Sequence, residues 1–188
     1  MSGAGRRPLA AVAGVFLALA LASCGGGGGG GGGPTEPTPP PVPTPGIVFT
    51  AQGSATANSI SLASGTGTTA NTLVLEVRAT QVTDLYGVAF DLAYPSAVLQ
   101  FTRATAGAML SGGSVQAVAS TPGTLVVGGT HLGNVAGASG SGVVMTLEFS
   151  AVAAGQGSFA FSRNAAFDSH GTAMTGVGWV AGSVTVTR

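Results

Sequence analysis

The sequence is short of charge. Asp, Glu, Lys and Arg make up only 6% of its 188 residues, and none of them is lysine, where an ordinary soluble domain carries roughly 25%. A basic nucleic-acid-binding surface needs clustered Lys and Arg to neutralise phosphates, so nucleic acid is excluded as a partner. A lone cysteine forbids an internal disulfide, and two histidines are too few for a zinc cluster. Aromatics are scarce too: one Trp and two Tyr do not supply the row of coplanar rings that a flat polysaccharide platform uses. What is abundant is Gly, 33 residues of it, within a chain that is 45% hydrophobic. That apolar content argues against disorder, which goes with high charge and few hydrophobes.

The N-terminus carries an address. Arg6 and Arg7 precede thirteen residues of Leu, Ala, Val, Phe and Gly from Leu9 to Leu21, the charged and apolar regions of a secretory signal. As a helix this run spans ~20 Å, short of the ~30 Å hydrocarbon core, so a permanent membrane span is not expected. It closes in Leu21-Ala22-Ser23-Cys24, which resembles the lipobox of bacterial lipoproteins: a large aliphatic residue, two small ones, then cysteine. The resemblance implies cleavage after residue 23 and acylation of Cys24 on sulfur and nitrogen. Several acyl chains at ~0.8 kcal/mol per buried CH₂ give lasting attachment to a membrane. Gly25 stands where an Asp would resemble an inner-membrane retention signal. The expected location is therefore the cell envelope, at the outer membrane or cell surface.

Nine glycines follow at residues 25–33, and seven of the ten prolines lie between residues 34 and 45. The first tract is a flexible coil of ~16 Å root-mean-square span. The second favours a polyproline-II rod of up to ~37 Å. Neither buries a core, and together they read as a tether. The organisation expected is a signal peptide at 1–23, a lipidated cysteine with Gly/Pro-rich tether at 24–46, and one domain at 47–188.

Within that domain four arginines stand against five acidic residues, a net charge of minus one. Helical periodicity is nearly absent and alternation is plain. Leu73, Leu75 and Val77 face one way and Glu76 and Arg78 the other; Val88, Phe90 and Leu92 face in and Asp91 out. Val143, Met145, Leu147 and Phe149 alternate with Thr146 and Glu148, and Val184 and Val186 with Thr185 and Thr187. Further strands are expected at 47–51, 59–63, 97–102, 114–119, 124–129 and 157–162. Short strands punctuated by Gly, Ser, Thr and Pro predict an all-β fold, an antiparallel two-sheet sandwich.

One stretch, Phe90-Asp91-Leu92-Ala93-Tyr94-Pro95-Ser96-Ala97-Val98-Leu99 followed by a loop at Gly107, resembles the strand, aromatic-Pro-Ser turn and downstream glycine of cohesin domains. Gly142 to Phe149 is similar to the cohesin strand that begins at glycine and ends in a buried Phe. Gly157 to Phe161 and Phe167 to Gly171 sit where that family has its next strand and acidic turn. The similarity runs from about Thr72 to Val186. It departs from the family where an acidic residue between Tyr94 and Pro95 is missing. The resemblance implies a jelly-roll sandwich of about nine strands and a non-catalytic adaptor that binds, through one sheet face, the dockerin modules of cellulosomal enzymes. Some carbohydrate-binding modules share that fold. The expected partner is thus a dockerin-like protein module or a polysaccharide, with a link to polysaccharide degradation; a structural envelope component is the remaining alternative.

Reactive constellations are weak. No serine stands in a G-x-S-x-G frame, so no catalytic residue is expected, and no cofactor. Asp168-Ser169-His170-Gly171 reads as a turn in which Asp caps its own backbone and Gly takes positive φ; one carboxylate there is too few for calcium, so no metal is expected. His131 reads as a loop residue. Tyr94 and Trp179 are the candidate binding residues, with Tyr86 beside them for sugar stacking; their packing reading is a strand-end contact for Tyr94 and a core or edge plug for Trp179. The glycine-rich runs 65–67 and 137–142 read as loops, lacking the Lys and the helix of a phosphate-binding turn.

Overall fold

The computed structural model describes residues 44–188; the signal segment, Cys24 and the tether up to residue 43 lie outside the described residues. Eleven strands form: β1 (Gly46–Ala51), β2 (Ser59–Ser64), β3 (Thr72–Leu85), β4 (Gly87–Ala93), β5 (Leu99–Ala106), β6 (Ser114–Thr121), β7 (Thr124–Thr130), β8 (Ala138–Ala151), β9 (Gly155–Phe167), β10 (Gly178–Val180) and β11 (Gly182–Thr187). A single 3₁₀ turn, Ala108–Leu110, is the only helical piece among the described residues. The strands make a six-stranded sheet in the order β1-β11-β9-β4-β7-β6 and a five-stranded sheet in the order β10-β2-β3-β8-β5.

The expected all-β sandwich is present, and alternation explains it. Leu73, Leu75 and Val77 of β3, Val88, Phe90 and Leu92 of β4, and Met145, Leu147 and Phe149 of β8 are all buried between the sheets. Phe149 is central: the rings of Tyr94, Phe101 and Phe159 lie 5.3, 5.7 and 5.8 Å from it. Because Phe159 belongs to the opposite sheet, this cluster ties the two layers together.

Three details depart from the sequence reading. Residues 138–142 are strand rather than loop, forming the first part of β8. There β3 continues to Leu85 through two register shifts, at Ala79/Val82 and Val82/Leu85. Gln81 and Asp84 take positive φ at these irregularities, and their N–H groups donate to the Ser141 and Ser139 hydroxyls at 2.9 Å each. Serine side chains thus replace ladder partners that the distorted strand does not supply, which is why a Gly/Ser sequence pairs as a strand. Second, a further strand, β10, lies parallel to β2, whereas every other pairing is antiparallel. Third, a bulge opposite Val77/Arg78 shifts the alternation in β8, so that Val144 is buried beside Met145.

Candidate functional site

The outer face of the six-stranded sheet is built from small and β-branched side chains. Register places Val118 of β6 against Val126 of β7, Val126 against Asp91 of β4, and Asp91 against Ser162 of β9, one continuous row. The next row runs Gln116, Gly128, Ala89, Ala165. Val118 and Val126 are 60% and 41% exposed, adjacent apolar groups that no part of the domain covers.

Asp91 points outward, as alternation required, yet is only 6% exposed. Arg163 lies over it: Nε donates to Asp91 Oδ2 at 2.6 Å and Nη2 donates to the same oxygen. The arginine side chain itself is 78% exposed. Its position comes from a bulge. Between the pairs Ala89↔Ala165 and Asp91↔Ser162, β9 holds one more residue than β4, and Arg163 there has φ 48°. Strict alternation from Ser162 would aim Arg163 at the core; the extra residue turns it out.

At the Gly87 end of this face lies a cleft of about 600 Å³, lined by Tyr86, Ser114, Gln116, Gly128, Leu132 and Phe167 among others. A side chain on Gly128 would meet nothing within 4 Å, so the glycine leaves the floor open. The Tyr86 hydroxyl donates to the Gly133 carbonyl, and its ring leans on His131 with centroids 5.6 Å apart. His131 Nε2 is buried without a hydrogen-bond partner.

Beside the cleft, Asp84 latches three segments. Its Oδ1 accepts from Gly137 N at 2.8 Å, and its Oδ2 from Ser169 N and Oγ at 3.2 and 2.8 Å. Chiefly the Ser169 hydroxyl bond, then the two backbone bonds, hold its pKa below the usual 3.8. Ligand atoms of Asp84, Asp168 and His170 lie within 4.8 Å of one another, so the structure adds a second carboxylate where the sequence offered one.

The sequence-predicted residues are placed as follows. Asp168 does cap its own turn, accepting from His170 N and Thr172 N at 2.9 and 2.8 Å, and Gly171 has φ 75°. Tyr94 is 9% exposed and packs on Phe149. Trp179 is half-buried, 5.0 Å from Phe161 and 5.8 Å from Phe90. The two rings sit in separate aromatic contacts and share no platform. Cys24 lies outside the described residues. Gly107 has a steric reason: a Cβ there would fall 2.3 Å from the Val143 carbonyl oxygen, while its N–H donates to Val144 O at 2.8 Å. Sequence reasoning missed Asp84 and Arg163. For Arg163 the available signal was isolation, since it is the one charged residue between Glu148 and Asp168.

The comparisons agree with this architecture. No curated protein matches the chain. Among solved structures it is similar to a type II cohesin from the cellulosome of Acetivibrio cellulolyticus (15% identity, 69% of this chain and 95% of that one, TM-score 0.57). It is also similar to the sixth cohesin of scaffoldin B from the same organism, solved with the Cel5 dockerin (17%, 66% and 97%, TM-score 0.54). A third is a non-cellulosomal cohesin of the archaeon Archaeoglobus fulgidus (16%, 66% and 86%, TM-score 0.53). A family model, the cohesin domain, matches residues 56–186, nearly all of the sandwich, and this chain therefore belongs to the cohesin domain family.

Proposed function

We propose that this protein is a non-catalytic docking module that captures a dockerin-like protein on the outer face of its six-stranded sheet. The observation that carries this reading is the row Val118–Val126–Asp91, two exposed valines in register beside a clamped ion pair. Charge depletion at the centre with apolar groups and one arginine is the composition of an interface core. The cohesin of scaffoldin B that this chain resembles was solved with a dockerin, which supports the partner class. Direct sugar stacking has less support, because Tyr94 lies in the core and Trp179 leans on Phe161.

Upstream, the lipobox-like Leu21-Ala22-Ser23-Cys24 and the Gly/Pro tether support a lipid-anchored module of the cell envelope. Such an anchor confines the captured partner to a layer and raises its effective concentration. The captured module is expected on an enzyme of polysaccharide degradation. Titration of the full chain with a panel of dockerin modules tests the docking: submicromolar binding that Val126→Asp weakens at least tenfold supports it. Absence of binding across the panel, or binding indifferent to Val126→Asp, refutes it. Cys24→Ala separately tests the anchor, and is expected to shift the protein from the membrane to the soluble fraction.

A further inference from the structure

We infer that Arg163 is the charge-reading residue of this face, that Asp91 is its positioning residue, and that the bound partner sets a carboxylate against the free edge of the Arg163 guanidinium. This rests on the docking reading above. Three observations converge on it. The backbone at Arg163 holds φ 48° inside a strand, a conformation that a bulky side chain adopts only under constraint from its surroundings. The bulge that contains it re-aims the side chain from core to surface. Asp91 then fixes the outward guanidinium through Nε and Nη2.

A salt bridge needed only for stability would not require an exposed arginine on a strained bulge, since a neutral residue at position 91 would remove the buried carboxylate altogether. The arrangement instead serves presentation. Of the five N–H donors of a guanidinium, two are directed at Asp91, and the rest face solvent on a side chain 78% exposed. Asp91 is covered, its side chain 9% exposed, so a partner meeting the Val118–Val126 row encounters the cation and not its counter-ion. A pre-oriented fork of this kind matches a carboxylate in geometry as well as in charge. Holding it in one rotamer beforehand lowers the ordering entropy lost on binding.

The test uses the full chain and whichever dockerin module of the panel binds it. Arg163→Ala is expected to weaken binding about tenfold at low salt, with the loss shrinking at about 0.5 M salt as screening removes the charge term. Arg163→Lys is expected to recover part of it. One Asp or Glu of the partner, changed to Asn or Gln, is expected to show no further loss when combined with Arg163→Ala. Should Arg163→Ala lower the melting temperature, the pair Asp91→Asn with Arg163→Gln replaces it, keeping a neutral hydrogen bond at the site. If Val126→Asp abolishes binding while Arg163→Ala binds like the wild type at both salt concentrations, the charge inference falls and docking stands. A loss independent of salt, coupled to no partner carboxylate, makes Arg163 a packing residue and also overturns the inference. If no dockerin binds the wild type, both readings fall.

Discussion

The two outer faces of the sandwich are made by the same rule and carry opposite surfaces. On the five-stranded sheet, Glu76 and Arg78 pair within β3 at 2.6 Å, and Arg103 of β5 reaches Glu148 of β8 at 2.8 Å. Four of the domain's nine charges therefore lie on that face as mutually satisfied, solvated pairs. The six-stranded face holds Asp91 and Arg163, and otherwise shows Val, Ala, Gly, Ser, Thr and the neutral Gln116 in its central rows. Charge on a sheet discourages unwanted association. Where a chain this poor in charge sets two ion pairs on one face and a single pair beside exposed valines on the other, the more sparsely charged face is the one left open to contact.

That contrast can be broken in four ways. The largest effect should ignore it: Phe149→Ala removes the ring that both sheets share and is expected to destabilise the domain by about 3–5 kcal/mol in denaturant melts. A cost well below that would mean that the layers do not depend on a common core. Next, a new carboxylate should matter on one face only. Val126→Asp is expected to cut dockerin affinity at least tenfold, about 1.4 kcal/mol, whereas Thr105→Asp on β5 is expected to leave it unchanged; equal losses would erase the distinction between faces. Third, Arg103→Ala breaks an ion pair whose arginine is 66% exposed, and such pairs contribute about 0.2–1 kcal/mol. A larger change in stability would show that the ions of this face are structural.

The smallest effect concerns acid. Asp84 has a folded pKa below its unfolded value near 3.8. Its ionised form is thus favoured by folding, so its contribution is complete above that value and is lost as pH falls through the folded pKa. Asp84→Asn is expected to lower the melting temperature modestly at pH 7, where the carboxylate's contribution is complete, and to flatten the decline in melting temperature below about pH 4 as that difference disappears. An unchanged acid profile would show that the latch carries no such linkage.

The fold was legible because alternation survives in short windows: Leu73, Leu75 and Val77, or Val88, Phe90 and Leu92, declare their inward face without help from the rest of the chain. The Tyr94-Pro95-Ser96 turn and Gly107 likewise report local needs. What remained hidden is long-range. Asp84 meets Ser169 across 85 residues and Asp91 meets Arg163 across 72, and no window contains both partners. β10 has only three residues, too few to show a period. The Gly/Ser start of β8 looked like loop because the hydroxyls that complete its pairing are invisible until β3 is laid beside it. Alternation also misleads at Arg163, where a single inserted residue reverses inside and outside.

One quiet detail bears on load. The Thr187 hydroxyl donates to the Thr44 carbonyl at 3.0 Å, and from there β1 runs antiparallel to β11 over its whole length, from Gly46↔Thr187 to Ala51↔Gly182. A pull arriving from the N-terminal side along the strand axis would meet all of these rungs at once, in shear, instead of peeling them singly. A zipper gripped lengthwise stands between such tension and the proposed docking face, which lies on strands further across the sheet.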